Sequence, residues 1–248
     1  MEIKFNNFSG KYKKSSVTVL KDISFTINSG DMIAIIGKSG SGKTSLFNAI
    51  LKQLHIAQGE IIINNYSLDN IKKREWKKII KKVGFLSQDT FLLEDENVFQ
   101  SILRTYTKYK NFFFELFKII TKEQKIEIFE ILDKLGIFDK SFSVISSLSG
   151  GQKQRVEIAK ILLKDVDLIL ADEPTSNLDV KTSNDVIQLL KNINEEKKIT
   201  ILVNVHNIEL AKKYFNKYVA IKDGQIIKYG KFDALTEKDI NFIYDIDK

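Results

Sequence analysis

Five short, nearly uninterrupted apolar runs constrain the fold of this chain more than any other feature: Met32–Ile36, Val83–Ser87, Leu168–Ala171, Ile199–Val203 and Tyr218–Ile221. A strand with one wet face alternates in polarity, whereas a continuous apolar run needs cover on both sides, as in a parallel sheet flanked by helices. The segments between them carry helical spacing. Lys122–Leu135 places Ile126, Phe129, Leu132 and Leu135 at helical intervals and stops at Gly136. Glu2–Phe8, Val17–Ile27 and Glu60–Ile63 read as β-rich additions, and Asp223-Gly224 between Ala220-Ile221 and Gln225–Ile227 reads as a hairpin turn. Residues 88–154 read as a helical insert separating two halves of an α/β core, 1–87 and 155–248, within a single domain.

Composition narrows the classes. At 248 residues and 43% hydrophobic, the chain can bury a sizeable core. Its start, Met-Glu-Ile-Lys-Phe, has no apolar signal region. The most apolar stretches, Met32–Ile36 and Phe112–Ile120, are too short to cross a bilayer, and Glu115 and Lys118 break the second. Any membrane link is therefore expected to run through a partner. With no cysteine, disulfides and thiolate metal sites are excluded. The net charge of +7 comes from lysine, with knots at Lys72–Lys73 and Lys77–Lys82; Arg74, Arg104 and Arg155 are the arginines among 39 basic residues. Guanine and phosphate forks are read by arginine, so a solvated lysine surface and no specific nucleic-acid partner are expected.

Immediately after the run Met32–Ile36 comes Gly37-Lys38-Ser39-Gly40-Ser41-Gly42-Lys43-Thr44, followed by a helical run over Ser45–Leu54. This fits G-x-x-x-x-G-K-[ST] in the setting its chemistry requires. Glycines let the backbone turn its N–H groups toward phosphate oxygens, and the following helix adds its N-terminal dipole. Lys43 is placed for the β- and γ-phosphates and the Thr44 hydroxyl for Mg²⁺. Much later, Leu168–Ala171 ends in Asp172-Glu173. An Asp at the end of such a strand lies beside the loop of the first strand and can hold Mg²⁺ through water. Glu173 is then the expected general base for an attacking water, and Pro174, the chain's one proline, ends the strand.

Leu148-Ser149-Gly150-Gly151-Gln152, followed by Lys153-Gln154-Arg155-Val156, resembles the ABC family signature. Ser149, Gly150 and Gly151 offer hydroxyl and N–H donors at a helix start. The resemblance covers the whole chain. It implies a P-loop NTPase core of RecA-like type, with an N-terminal antiparallel β subdomain and an inserted helical subdomain. It also implies that the signature acts in trans, closing on ATP held by the other subunit of a homodimer. Gln88 matches the family's Q-loop glutamine, a contact of Mg²⁺ and water. Ser176-Asn177-Leu178-Asp179 resembles the D-loop that touches the partner subunit, and His206 matches the switch histidine that senses the γ-phosphate. His55 matches nothing and reads as surface or packing. For stacking on adenine, Tyr12 is the expected aromatic, with Phe8 as competitor and Lys13–Ser16 between Tyr12 and the next strand. Asp89-Thr90 after Gln88 departs from the less acidic residues many relatives carry there.

Val203–Tyr214, the tail Tyr229–Thr236 and Ile243-Tyr244 are similar to the ATP-binding subunit of phosphonate-type importers and of the related mollicute high-affinity import system. The resemblance implies ATP hydrolysis at the cytoplasmic face of the membrane, a permease partner, and a substrate-binding protein or lipoprotein engaged through it. The cassettes of DNA-acting relatives carry a long heptad insert between P-loop and signature, which Thr44 to Leu148 lacks; ribosome-acting relatives carry two cassettes. An exporter or cell-division cassette shares every catalytic motif and stays open as the alternative.

Overall fold

The apolar runs lie side by side in the computed structural model, which describes residues 1–13, 15–88 and 90–246. The chain passes in order through β1 (Ile3–Lys11), β2 (Thr18–Ile27), β3 (Met32–Ile36), α1 (Lys43–Ile50), β4 (His55–Ile63), β5 (Tyr66–Ser67), α2 (Lys73–Lys81) and β6 (Val83–Leu86). It continues through α3 (Val98–Thr105), α4 (Phe112–Leu116), α5 (Lys122–Lys134), α6 (Gly150–Leu162), β7 (Leu168–Asp172), α7 (Val180–Lys197), β8 (Thr200–Asn204), α8 (Ile208–Tyr214), β9 (Lys217–Lys222), β10 (Gln225–Lys231) and α9 (Glu237–Tyr244). Two sheets result among the described residues: β2-β1-β4-β5, all antiparallel, and β10-β9-β3-β8-β7-β6. The second is parallel from β9 to β6, with β10 turned back as a hairpin.

Continuous apolar strands are needed because this sheet divides two cores. Ala34, Ile36, Ile169, Ala171, Ile201, Val203, Tyr218 and Ala220 feed the core beneath the helical insert. Their alternates Ile33, Ile35, Leu168, Leu170, Leu202, Val219 and Ile221 feed a second core shared with the antiparallel sheet, around Phe5, Phe8, Ile23 and Phe47. Side chains of successive strand residues point to opposite faces, so a polar residue within the apolar runs of β3, β7 or β9 would fall into one core or the other, whereas β6, at the edge, exposes Phe85.

Several boundaries differ from the sequence reading. Helix α1 ends at Ile50, not Leu54, because Lys52 takes a left-handed φ of 58° and Leu54 turns in to bury. Strand β4 already starts at His55, through a half with four exposed residues (His55, Ala57, Gln58 and Gly59) and little hydrophobic signature. The Asp223-Gly224 hairpin is present, both residues having positive φ (51° and 79°). His55 is exposed on β4. The Asp89 of the Asp89-Thr90 departure, and Lys14 within Lys13–Ser16, lie outside the described residues.

The helical insert is tied to the core by α6, which runs without a break through residues 154 and 155. Arg155 Nη1 donates to the Leu135 carbonyl at the end of α5, at 2.7 Å, where a cation meets unpaired C=O groups. Buried Gln154 donates Nε2 to the Ser87 carbonyl at 3.4 Å, linking the same helix to the end of β6.

Candidate functional site

The loop between β3 and α1 is held open by glycine. Gly37 has φ of 150°, and a Cβ there would meet the Ile221 carbonyl of β9 at 2.2 Å and Ser41 Oγ at 2.7 Å. Gly42 precedes α1 with φ of 113° and makes no side-chain cap, so the first N–H groups of α1 stay available for an anion. Lys43 is buried to 4% exposure, and its Nζ donates to the Gly37 and Lys38 carbonyls at 2.9 and 3.0 Å. Burial lowers its pKa below the usual lysine value, against the opposing pull of Glu173 and Asp172. Such a cation, short of anionic contacts, is poised for phosphate.

Asp172 ends β7, and β8 lies between β7 and β3. It reaches the loop nonetheless: the Thr44 hydroxyl donates to Asp172 Oδ1 at 3.2 Å. On the intervening strand Asn204 donates Nδ2 to the same oxygen at 2.6 Å. The sequence reading gave Asn204 no role of its own beyond its place in Val203–Tyr214.

Glu173 occupies a left-handed backbone conformation, φ 51°, a strain that marks functional positions when the surrounding structure enforces it. Ser176 donates its N–H and hydroxyl to the Glu173 carbonyl at 3.2 and 3.1 Å. Glu173 Oε1 contacts His206 Nε2. A pocket of about 290 Å³ brings Glu173 together with Ser39, Gly40, Gly42, Lys43, Thr44 and Ser45, rimmed by Val19, Asp223 and Gly224.

The remaining sequence-derived residues fall into separate groups. Ser41 is buried with an unpaired Oγ, and Lys38 forms an ion pair with Asp245 at 2.9 Å. Gln88 is exposed just beyond β6, whose Leu86 pairs with Ala171, so it leaves the sheet at the Asp172 edge. Tyr12 is 37% exposed and its hydroxyl meets Ser45 Oγ at 3.2 Å and Asn48 Nδ2 at 2.9 Å on α1, whereas the competitor Phe8 is fully buried in the second core. The segment Ser149–Gln152 does not line the phosphate pocket of its own chain. Ser149 and Gln152 form a reciprocal cap at the start of α6. Gly150 and Gly151 pack so closely on Leu178 and Thr182 that an added Cβ would meet them at 2.8 and 2.3 Å. Asp179 caps α7, accepting from Thr182 N and Oγ1 at 3.0 and 2.6 Å, bonds that hold its carboxyl below the usual range.

The donor set can be tested against a divalent cation. A hydroxyl and a carboxylate in contact are hard oxygen ligands of the kind Mg²⁺ takes, and Mg²⁺ usually keeps waters and phosphate oxygens for its other positions. Among the described residues no cluster of three or more His, Cys, Asp or Glu is placed to hold a metal ion. The residues fit the ion.

The ABC transporter family model matches residues 20–176. The chain is 36% identical over 222 residues to a probable ABC transporter ATP-binding protein, p29, of Mesomycoplasma hyorhinis, covering 90% of this chain and 88% of that one. It is 38% identical over 226 residues to the phosphonates import ATP-binding protein PhnC of Fusobacterium nucleatum subsp. nucleatum, covering 91% and 92%. Among solved structures it is similar to the dimeric, post-hydrolysis cassette MJ0796 bound to ADP and Pi (TM-score 0.76, 30% identity, 92% of this chain and 98% of that one). It is also similar to cbiO1 of Clostridium perfringens, part of an ABC transporter complex (TM-score 0.80, 26% identity, 96% and 92%). By fold and sequence, this chain belongs to the ABC transporter family.

Proposed function

We propose that the chain is the ATP-hydrolysing subunit of a membrane importer, working as a head-to-tail homodimer beneath a permease. The observation that carries this reading is the convergence, at one edge of the parallel sheet, of a glycine cradle with Lys43, the Thr44–Asp172 pair and the Glu173–His206 pair. In this reading the loop amides and Lys43 bind the β- and γ-phosphates, and Tyr12 lies against adenine from its place beside α1. Thr44, Asp172 and Gln88 hold Mg²⁺, which when bound neutralises charge on the phosphates. Glu173 takes the proton of the attacking water, and His206 keeps the carboxylate aimed. Residues 88–154 act as the signature subdomain and the rest as the catalytic core.

The trans arrangement rests on Ser149 lying outside its own phosphate pocket, and it is supported by the dimeric state of MJ0796. Ser149, Gly150, Gly151, Gln152 and Asp179 then face the partner's nucleotide. Import is supported by the names of several relatives at 34–38% identity, which are phosphonates import ATP-binding proteins. Among the described residues no helix is long and apolar enough to cross a membrane, so the proposed place at the cytoplasmic face depends on the permease, and cargo recognition falls to the permease and a binding protein.

Glu173→Gln tests the assignment. It keeps the cradle and loses the base, so turnover should drop by roughly 10²–10⁴ while ATP and Mg²⁺ shift the chain to a dimer on gel filtration. A variant that stays monomeric and turns over like the parent would overturn it.

A further inference from the structure

Asn204 is the last residue of β8, in register with Asp172 of β7 on one side and Ile35 of β3 on the other. It is 1% exposed. Its Nδ2 donates to Asp172 Oδ1 at 2.6 Å, the oxygen that also receives the Thr44 hydroxyl. Its own Oδ1 is buried without a hydrogen-bond partner. Turning the amide over would not repair this, because a carboxylate offers acceptors only and would then face a second acceptor. The orientation is therefore imposed by Asp172. An amide present to stabilise the sheet would satisfy both ends; this one satisfies the carboxylate and leaves its carbonyl without a partner.

Asn204 also lines the cavity that holds Glu173, Ser176, His206 and Asn207. We propose that Asn204 is a positioning residue: it fixes the Asp172 carboxylate against Thr44 for a divalent cation, and its orphaned oxygen takes a water that arrives with the ion. The inference rests on the reading that Thr44 and Asp172 hold that ion. It predicts that cation affinity depends on a donor at position 204, whereas binding of metal-free nucleotide does not.

Mn²⁺ titration of the full chain in the presence of ADP, followed by electron paramagnetic resonance, reads this directly. Asn204→Val and Asn204→Thr have nearly the same shape and differ in a hydroxyl that can donate to Asp172. Loss of an outer-shell partner typically weakens a metal site 10–100-fold, so Asn204→Val should bind Mn²⁺ at least ~10-fold more weakly, with ADP affinity in EDTA unchanged. Asn204→Thr should recover to within about threefold of the parent, since it restores the donor. Asn204→Val binding Mn²⁺ like the parent, or losing ADP affinity in EDTA to the same degree, would overturn the proposal. Should Asn204→Val fail to fold, the Thr variant decides alone: a folded Asn204→Thr that loses Mn²⁺ ~10-fold or more overturns it. Asp172→Ala in the same titration separates the two readings. Mn²⁺ affinity unchanged in Asp172→Ala would refute the metal site itself, whereas a weak Asp172→Ala beside a parent-like Asn204→Val would refute only the role of Asn204.

Discussion

Lys43 is a cation held almost out of solvent, with the Gly37 and Lys38 carbonyls as its hydrogen-bond acceptors. Desolvation lowers its pKa from the 10.5 of an ordinary lysine, so between that lowered value and 10.5 the free protein sheds a proton that bound phosphates would retain. ATP affinity should fall as pH rises through this window, and the decline should be missing from Lys43→Ala. At neutral pH that variant deletes charge-assisted hydrogen bonds worth about 1.5–3 kcal/mol, so equilibrium titration should show ATP affinity roughly 10–150-fold lower. Equal affinity in variant and parent would remove Lys43 from the phosphate site. The same residue scale shows what a sequence conceals. Lys43 and Thr44 are legible because motif spacing carries them, Asp172 because it ends an apolar run, and His206 through the family resemblance alone. Phe8 and Tyr12 were competitors until burial placed Phe8 in the core. Asn204 stayed hidden because its significance lies in one bond across a strand pair, and nothing in Val203-Asn204-Val205 encodes that pairing.

The strands of the parallel sheet were legible because each is apolar on both faces, and two cores require that. The elements that resisted lack this signal: the N-terminal half of β4 is mostly exposed, and α4 is a single turn with Phe112, Phe113 and Leu116 in solvent. Strand order was also out of reach, since apolar runs do not say that β8 separates β7 from β3. What order does dictate is the tolerance at the end of β3. Because β9 is its neighbour, the Gly37 Cα faces the Ile221 carbonyl, and a methyl group would sit 2.2 Å from it. Gly37→Ala combines that clash with an unfavourable φ, a class of backbone strain costing on the order of 1–3 kcal/mol. For a chain of this size the melting temperature should fall by roughly 2–4 °C per kcal/mol, and nucleotide should cease to raise it. Differential scanning calorimetry with and without ADP checks both; an unchanged melting curve that still responds to ADP would show that the loop tolerates a side chain. Asp239 and Asp245 belong to this scale too. Lys228 with Thr236, and Lys222 with Lys38, hold their carboxyls down at about 2, so α9 gains support above the ordinary Asp range that is lost as pH falls through about 2. Hydrogen exchange over Glu237–Tyr244 should accelerate in that acid window before the parallel strands exchange, while equal acceleration in β3 would tie α9 to global unfolding.

At the scale of the whole molecule the decisive fact is separation. The phosphate pocket gathers the Gly37–Thr44 loop with Glu173, while Ser149 and Gly150 are exposed elsewhere, braced by Leu178 and the α6 cap. On the proposed reading each chain carries two half-sites, and two chains placed head to tail would complete both. Two different defects should then complement in a defined pattern. Ser149→Arg leaves a sound phosphate cradle and spoils the signature face, placing a bulky cation where a small hydroxyl caps α6. Lys43→Ala does the reverse. Each homodimer should be inactive, because every composite site contains one lesion. In a mixed dimer, one site joins the intact cradle of the first chain to the intact signature of the second, and the other site carries both lesions. Random pairing of equal amounts makes about half the dimers mixed, so if sites act independently, activity should return to roughly a quarter of the parent value. If hydrolysis needs both sites together, turnover stays low but ATP should still drive the mixture to dimerise, which analytical ultracentrifugation with ATP and Mg²⁺ reads separately. Parent-level ATPase activity at dilutions where the chain sediments as a monomer would contradict the shared site, because no chain would then need the signature of another.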